Sequence, residues 1–374
     1  MRLVAVAALF TAFAVTAQAQ TPAAAAADPY AQGKAIVADV QKIVTPNGVD
    51  ESGPMTLGGA RQWVSIRGTD KANPVIVFIH GGPAAPELPM AWTFQRPWED
   101  YFTVVQWDQR GAGKSYALND PAQIAATMTV DRYRDDAIDL IEQITRKLGK
   151  RKVILVGHSW GTIVGLSVAV KRPDLLHAYV GAGQVTHFRE NERVGFEAVL
   201  AAAKKAGDAE AVKELEALQP YPGPGAFDPA RIGVQRKWSI KYGFLTAGRD
   251  NANYYFNSPR LSPDYTPEDR RAWGKGSELT IATLLPKLAD VDFTSVRRVD
   301  VPVFMFLGRH DYTTPPEPTE AWMKAVRAPR KEIVWFDHSA HLMMIEEPGR
   351  FLYALLDKVR PIAERAEPEA TKRN

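Results

Sequence analysis

Val153-Ile154-Leu155-Val156-Gly157-His158-Ser159-Trp160-Gly161 is the stretch from which the fold can be read. A short apolar, β-branched run bounded by glycine has the composition of a buried strand. Gly-x-Ser-x-Gly follows it, and the next residues, 162–170, have the composition of a helix. Two glycines permit a tight strand-to-helix turn. Such a turn exposes the Ser159 hydroxyl and sets the Trp160 N–H beside it. The spacing alone is common. The strand before it and the helix after it make it the turn of an exposed nucleophile.

Outward from this turn, apolar runs alternate with helical spacing. Upstream, residues 61–67 alternate as an early strand, and 75–79 and 102–107 are apolar runs. Residues 131–148 place Ala137, Ile138, Leu140, Ile141 and Ile144 on one helical face. Downstream, strands are expected at 177–180, 301–307 and 332–336, with helices through 322–326 and 351–359. Strands alternating with helices argue for an α/β fold, a mostly parallel sheet with helices on both faces. Near the start, 30–44 has helical spacing and 45–53 is turn-rich. Between 186 and 295 the strand signals vanish, charges rise, and Trp238, Tyr242, Phe244, Tyr254, Tyr255, Phe256, Tyr265 and Trp273 accumulate. This reads as a helical cap whose aromatics chiefly pack its own core, the remainder lining a pocket.

The ends of the chain read differently. Arg2, an apolar run over 3–15 and Ala17-Gln18-Ala19 form the three parts of a secretory signal. The expected organisation is a signal peptide at 1–19, a flexible leader at 20–28, and a core over 29–185. The cap at 186–295, a second core part at 296–360 and a fraying polar tail at 361–374 follow. The mature protein is expected to be exported, periplasmic or secreted, with no membrane anchor. With 46 basic against 43 acidic residues, the charge gives no footprint for nucleic acid. The chain has no cysteine, which excludes thiolate chemistry, disulfides and cysteine-held metals. No His-Glu-x-x-His occurs, and neither a metal nor another cofactor is expected. Gly113-Lys114-Ser115 resembles a nucleotide loop, but such a loop needs glycine where Asp108 stands.

A serine hydroxyl needs a base to activate it, and the base needs an orienting carboxylate. In open α/β sheets these groups gather at the carboxyl ends of strands. Ser159, Asp311 and His341 all stand there, in that chain order. His338 competes with His341, and Asp337 with Asp311. His341 is favoured because it leads into the closing helix, and Asp311 because it ends a strand of its own. An oxyanion needs two N–H donors. Trp160 supplies one, and His80-Gly81-Gly82-Pro83 the other, with Gly82 preferred to Gly81. His80 buttresses that loop.

These motifs together resemble the proline iminopeptidase family of α/β-hydrolases. The residues that carry the resemblance are His80-Gly81-Gly82-Pro83, Asp108-Gln109-Arg110-Gly111-x-Gly113-x-Ser115, Gly157-x-Ser159-Trp160-Gly161, Gly308-x-x-Asp311, and His341 followed by Glu346 and Pro348. The resemblance implies the α/β-hydrolase fold with a helical cap insertion. It further implies a Ser159–Asp311–His341 triad, an oxyanion hole from Gly82 and Trp160, and a structural role for Arg110. Ala84 and His158 depart from the family pattern, which has glycine at both places. The family's cap binds a free amino group through carboxylates, and Glu190, Glu192 and Glu278 are the candidates here. The expected activity is serine hydrolysis, releasing an N-terminal residue from a small peptide. The alternative is a carboxylesterase or lactonase with the same triad and a small ester substrate.

Overall fold

A computed structural model describes residues 28–366. The expected signal peptide, nearly all of the expected leader and the last eight residues of the expected tail lie outside the described residues. Eight strands form one sheet: β1 (Val49–Leu57), β2 (Ala60–Gly68), β3 (Val75–Ile79), β4 (Thr103–Asp108), β5 (Val153–His158), β6 (Leu176–Ala182), β7 (Val303–Gly308) and β8 (Lys331–Phe336). Their order is β1-β2-β4-β3-β5-β6-β7-β8. The first two strands run antiparallel to their neighbours, and β3 through β8 are parallel.

Burial explains which strands were easy to read. Every residue of β3, β4, β5, β6 and β7 is buried, because helices cover both faces of a parallel sheet. Alternate residues then enter different cores. Val75, Val77 and Ile79 join the core on one face, and Ile76 and Phe78 join the core on the other. On the second face, Trp98 stacks on Phe351 at 5.1 Å between ring centroids. On the first, the Val130–Leu148 helix buries Tyr133, Ala137, Leu140, Ile141 and Ile144. Thr129 caps its start, accepting the Arg132 N–H at 3.1 Å.

Three expectations at the periphery need correction. Residues 45–53 were expected as turns, yet Val49 begins β1. The strand is a largely exposed edge that contains Gly53-Pro54, so its sequence lacks the burial signal. At the other end, a fraying polar tail was expected over 361–374. Instead Arg360–Ala366 is helical and buries Ala363 against the second core. The helix of 30–44 is shorter than expected, spanning Ala31–Val40.

Between β6 and β7 lies a purely helical insertion, chiefly Phe188–Lys205, Ala209–Glu216, Pro229–Lys241 and Pro267–Leu284. It has a small core of its own in which Phe196, Val199, Leu215 and Trp238 pack together. Its end is rooted in the main core through Leu284, Leu285 and Leu288. Among the described residues, no helix is long and apolar enough to cross a membrane.

Candidate active site

Ser159 follows directly on β5 with φ 54° and ψ −121°, a conformation costing a non-glycine residue about 1–3 kcal/mol. The sheet and the Trp160–Lys171 helix over-determine it. The helix start presses against β3 so closely that a Cβ on Gly161 would lie 2.1 Å from the Ile79 carbonyl oxygen. Only glycine fits there. The Ser159 N–H donates to the Ala182 carbonyl at 3.0 Å, which fixes the turn to the neighbouring strand.

Asp311 follows β7, and His341 follows β8. Their side chains meet: His341 Nδ1 lies 2.8 Å from Asp311 Oδ2. A carboxylate only accepts, so Nδ1 carries the hydrogen and Nε2 is left as the basic nitrogen. Asp311 is held in turn by the N–H groups of Thr313 and Thr314 at 2.9 and 2.8 Å, and by the Thr314 hydroxyl at 2.7 Å. Burial pushes the His341 imidazole below its ordinary value, and the Asp311 carboxylate offsets only part of that. The competing pair is elsewhere. Asp337 and His338 are exposed, and Asp337 is bonded to Arg309.

The loop after β3 carries Gly81 and Gly82, the two glycines expected to offer an oxyanion donor. Gly82 has φ +117°, and a Cβ there would sit 2.4 Å from the Ala84 nitrogen, so no other residue fits. Gly81 is spoken for: its N–H donates to both Glu87 oxygens, at 3.2 and 3.1 Å. This leaves Gly82 as the better donor of the two. His80 buttresses the loop as a neutral imidazole. Its Nδ1–H donates to the Gly81 carbonyl at 2.8 Å, and its Nε2 accepts the Gln109 N–H at 3.1 Å. Gln109 continues the brace, accepting the Trp160 indole N–H at 2.9 Å. Arg110 is structural too, paired with buried Asp136 at 2.8 Å.

The cap reaches this loop from above. Both Trp273 Nε1 and Ser277 Oγ donate to the Ala84 carbonyl, at 3.0 and 2.6 Å. Ala84 itself has φ 59°, which makes its departure from glycine a strained one. Tyr265 is buried and donates its hydroxyl to Asp108. Burial raises the Asp108 carboxyl to about 7, despite the hydrogen bonds it accepts from Tyr265 and from the Lys114 N–H. Glu346, below, accepts N–H bonds from Ala247 of the cap and Ala340 of the base loop, at 2.6 and 2.9 Å.

The three cap carboxylates do not gather. Glu190 pairs with Arg193 at 2.6 Å and lines a cleft of about 590 Å³ with Thr186, Glu197 and Glu317, away from Ser159. Glu278 is exposed. Both are corrections: periodic charge on a helix faced water rather than the site. Glu192 is fully buried, but it is bonded to Arg236 and to the Tyr221 hydroxyl. Its neighbour Asn191 reaches the Thr313 carbonyl beside Asp311, at 3.1 Å. Sequence reasoning missed Glu87, Arg236 and Tyr265 as parts of this site. Each has its partner in a distant segment, so no local pattern marks it.

Comparison with known proteins agrees with this architecture. Residues 74–348 match the family described by the alpha/beta hydrolase fold. The chain is 30% identical over 304 residues to "Probable aminopeptidase YbaC" of Bacillus subtilis, covering 80% of this chain and 93% of that protein. It is 24% identical over 304 residues to a proline iminopeptidase of Heyndrickxia coagulans, covering 77% and 91%. Among solved structures, a proline iminopeptidase of Mycobacterium smegmatis superposes with a TM-score of 0.60 at 17% identity, covering 84% of this chain and all of that one. The chain belongs to the alpha/beta hydrolase fold family and is a hydrolase.

Proposed function

We propose that this protein is an exported serine hydrolase that releases the N-terminal residue, proline among the candidates, from short peptides through an acyl-enzyme. The observation that carries this reading is the buried Asp311–His341 pair at the strand ends that also present Ser159. His341 Nε2 takes the Ser159 proton as Oγ attacks the scissile carbonyl. The oxyanion is received by the N–H groups of Gly82 and Trp160. His341 then gives the proton to the leaving amine, and water, activated by the same nitrogen, releases the acyl group. The names of the relatives support peptide substrates. The secretory signal at residues 1–19 supports export.

One observation favours an esterase or lactonase as the second reading. Glu192, the buried cap carboxylate among the three candidates, is already neutralised by Arg236, and a substrate ammonium would have to compete with that guanidinium. Esters need no such carboxylate. Assay of the mature protein on proline p-nitroanilide, with a p-nitrophenyl ester alongside, separates the two. Anilide turnover that disappears in Ser159→Ala is the expected result. Ester turnover alone, lost with the same substitution, would replace the peptidase reading by the second.

A further inference from the structure

Beside the candidate triad lies a second buried imidazole–carboxylate pair, which the proposed mechanism does not use. Glu87 is 1% exposed and His158 2%. Glu87 Oε1 lies 2.5 Å from His158 Nδ1. The other edge of the ring faces the base loop, with His158 Nε2 at 3.0 Å from the backbone carbonyl oxygen of His341. The two imidazole rings are 4.7 Å apart. A carbonyl oxygen only accepts, so His158 Nε2 carries a hydrogen. One further proton is held between Nδ1 and Glu87, and the pair is neutral as a unit wherever that proton sits. Burial opposes a charged His158, but the Glu87 carboxylate outweighs it and raises the imidazole above its ordinary value.

The pair joins three segments that must agree in position. Glu87 grips the Gly81 N–H, one residue before the proposed oxyanion donor. His158 immediately precedes the nucleophile. Its far nitrogen holds the backbone of the base. A buried pair of this kind adds little net stability over apolar packing of the same volume. We propose that Glu87 and His158 are positioning residues that lock the oxyanion loop, Ser159 and His341 into one register without touching substrate. This rests on Ser159 and His341 being nucleophile and base.

The experiment is steady-state kinetics with active sites counted by fluorophosphonate titration, so that kcat per titrated site does not depend on how much protein folds. Glu87→Ala and His158→Ala should lower kcat per titrated site roughly 10–100-fold, as misplacement of about 1 Å does, with KM nearly unchanged. The amide nitrogen of a glutamine falls near the Nε2 position of histidine, and that of an asparagine near Nδ1. His158→Gln, which keeps the bond to the His341 carbonyl, should therefore retain more kcat than His158→Asn, which keeps only the bond to Glu87. Those two variants decide the matter where the alanine variants fail to fold. Unchanged kcat per titrated site, equal kcat in His158→Gln and His158→Asn, or a loss carried by KM would overturn the proposal. Labelling or turnover that persists in Ser159→Ala would instead overturn the reading on which it rests.

Discussion

The strand-end loops and the cap face the same site but are held together differently. In the loops, each reactive side chain has a partner within a few residues or at the end of the adjoining strand, although the His341 backbone is also held from afar by His158. Asp311 is held by Thr313 and Thr314, Ser159 by Ala182, and His341 by Asp311. In the cap, the contacts that matter span long distances in sequence. Glu192 and Arg236 are 44 residues apart, Tyr265 and Asp108 are 157, and Trp273 and Ala84 are 189. The candidate triad therefore rests on short turns, and the cap rests on pairings between segments distant in the chain. Damage to the first should appear in kcat. Damage to the second should be smaller and spread over affinity and stability.

The largest effect should come from Asp311→Asn. Losing the carboxylate releases the Nδ1–H tautomer, and kcat should fall by roughly 10⁴-fold with the fold intact. Gly82→Ala should cost roughly 10²–10³-fold in kcat, because the added Cβ strikes the Ala84 nitrogen and displaces an oxyanion donor. Asp108 tests the seam between loops and cap through stability. Its carboxyl titrates at about 7 when folded, against an ordinary 3.8, so the folded chain binds that proton more tightly. Its contribution is complete below about 4 and is lost as the pH rises through about 7. Thermal unfolding across that window should show the decline, and Asp108→Asn should flatten it. A slope that survives Asp108→Asn would place the proton elsewhere.

Within the cap, Trp273→Phe removes one of two bonds to the Ala84 carbonyl. It should cost about 1 kcal/mol, no more than tenfold in kcat/KM. A loss as large as that of Gly82→Ala would erase the contrast between the two regions. The smallest effect is a displacement of the pH profile. Since burial lowers the His341 imidazole and the base must be neutral, activity should persist as pH falls past 6.5 and disappear only below it. An acid limb at or above 6.5 in kcat/KM would show that His341 is less shielded than its surroundings imply.

The same contrast explains what was legible in the sequence. Ser159, Asp311 and His341 each follow a strand, β5, β7 and β8, and the first two of these strands are wholly buried apolar runs. Gly82 was legible because His-Gly-Gly-Pro follows β3 directly. β1 was not, because an exposed edge strand carries no burial signal and this one contains Gly53 and Pro54. Glu87 was not, because nothing in Ala84-Ala85-Pro86-Glu87 points to His158, 71 residues away. In the cap, Glu190, Glu192 and Glu278 all occupy helical positions that sequence alone cannot rank. Only packing separates buried Glu192 from exposed Glu278.

Ser159 is proposed as a nucleophile activated by His341. Mass spectrometry of the mature protein after reaction with a fluorophosphonate tests it most directly. One adduct per chain is expected, mapped to Ser159, absent in Ser159→Ala and formed far more slowly in His341→Ala. A folded protein that stays unlabelled, or an adduct on any other residue, would contradict it.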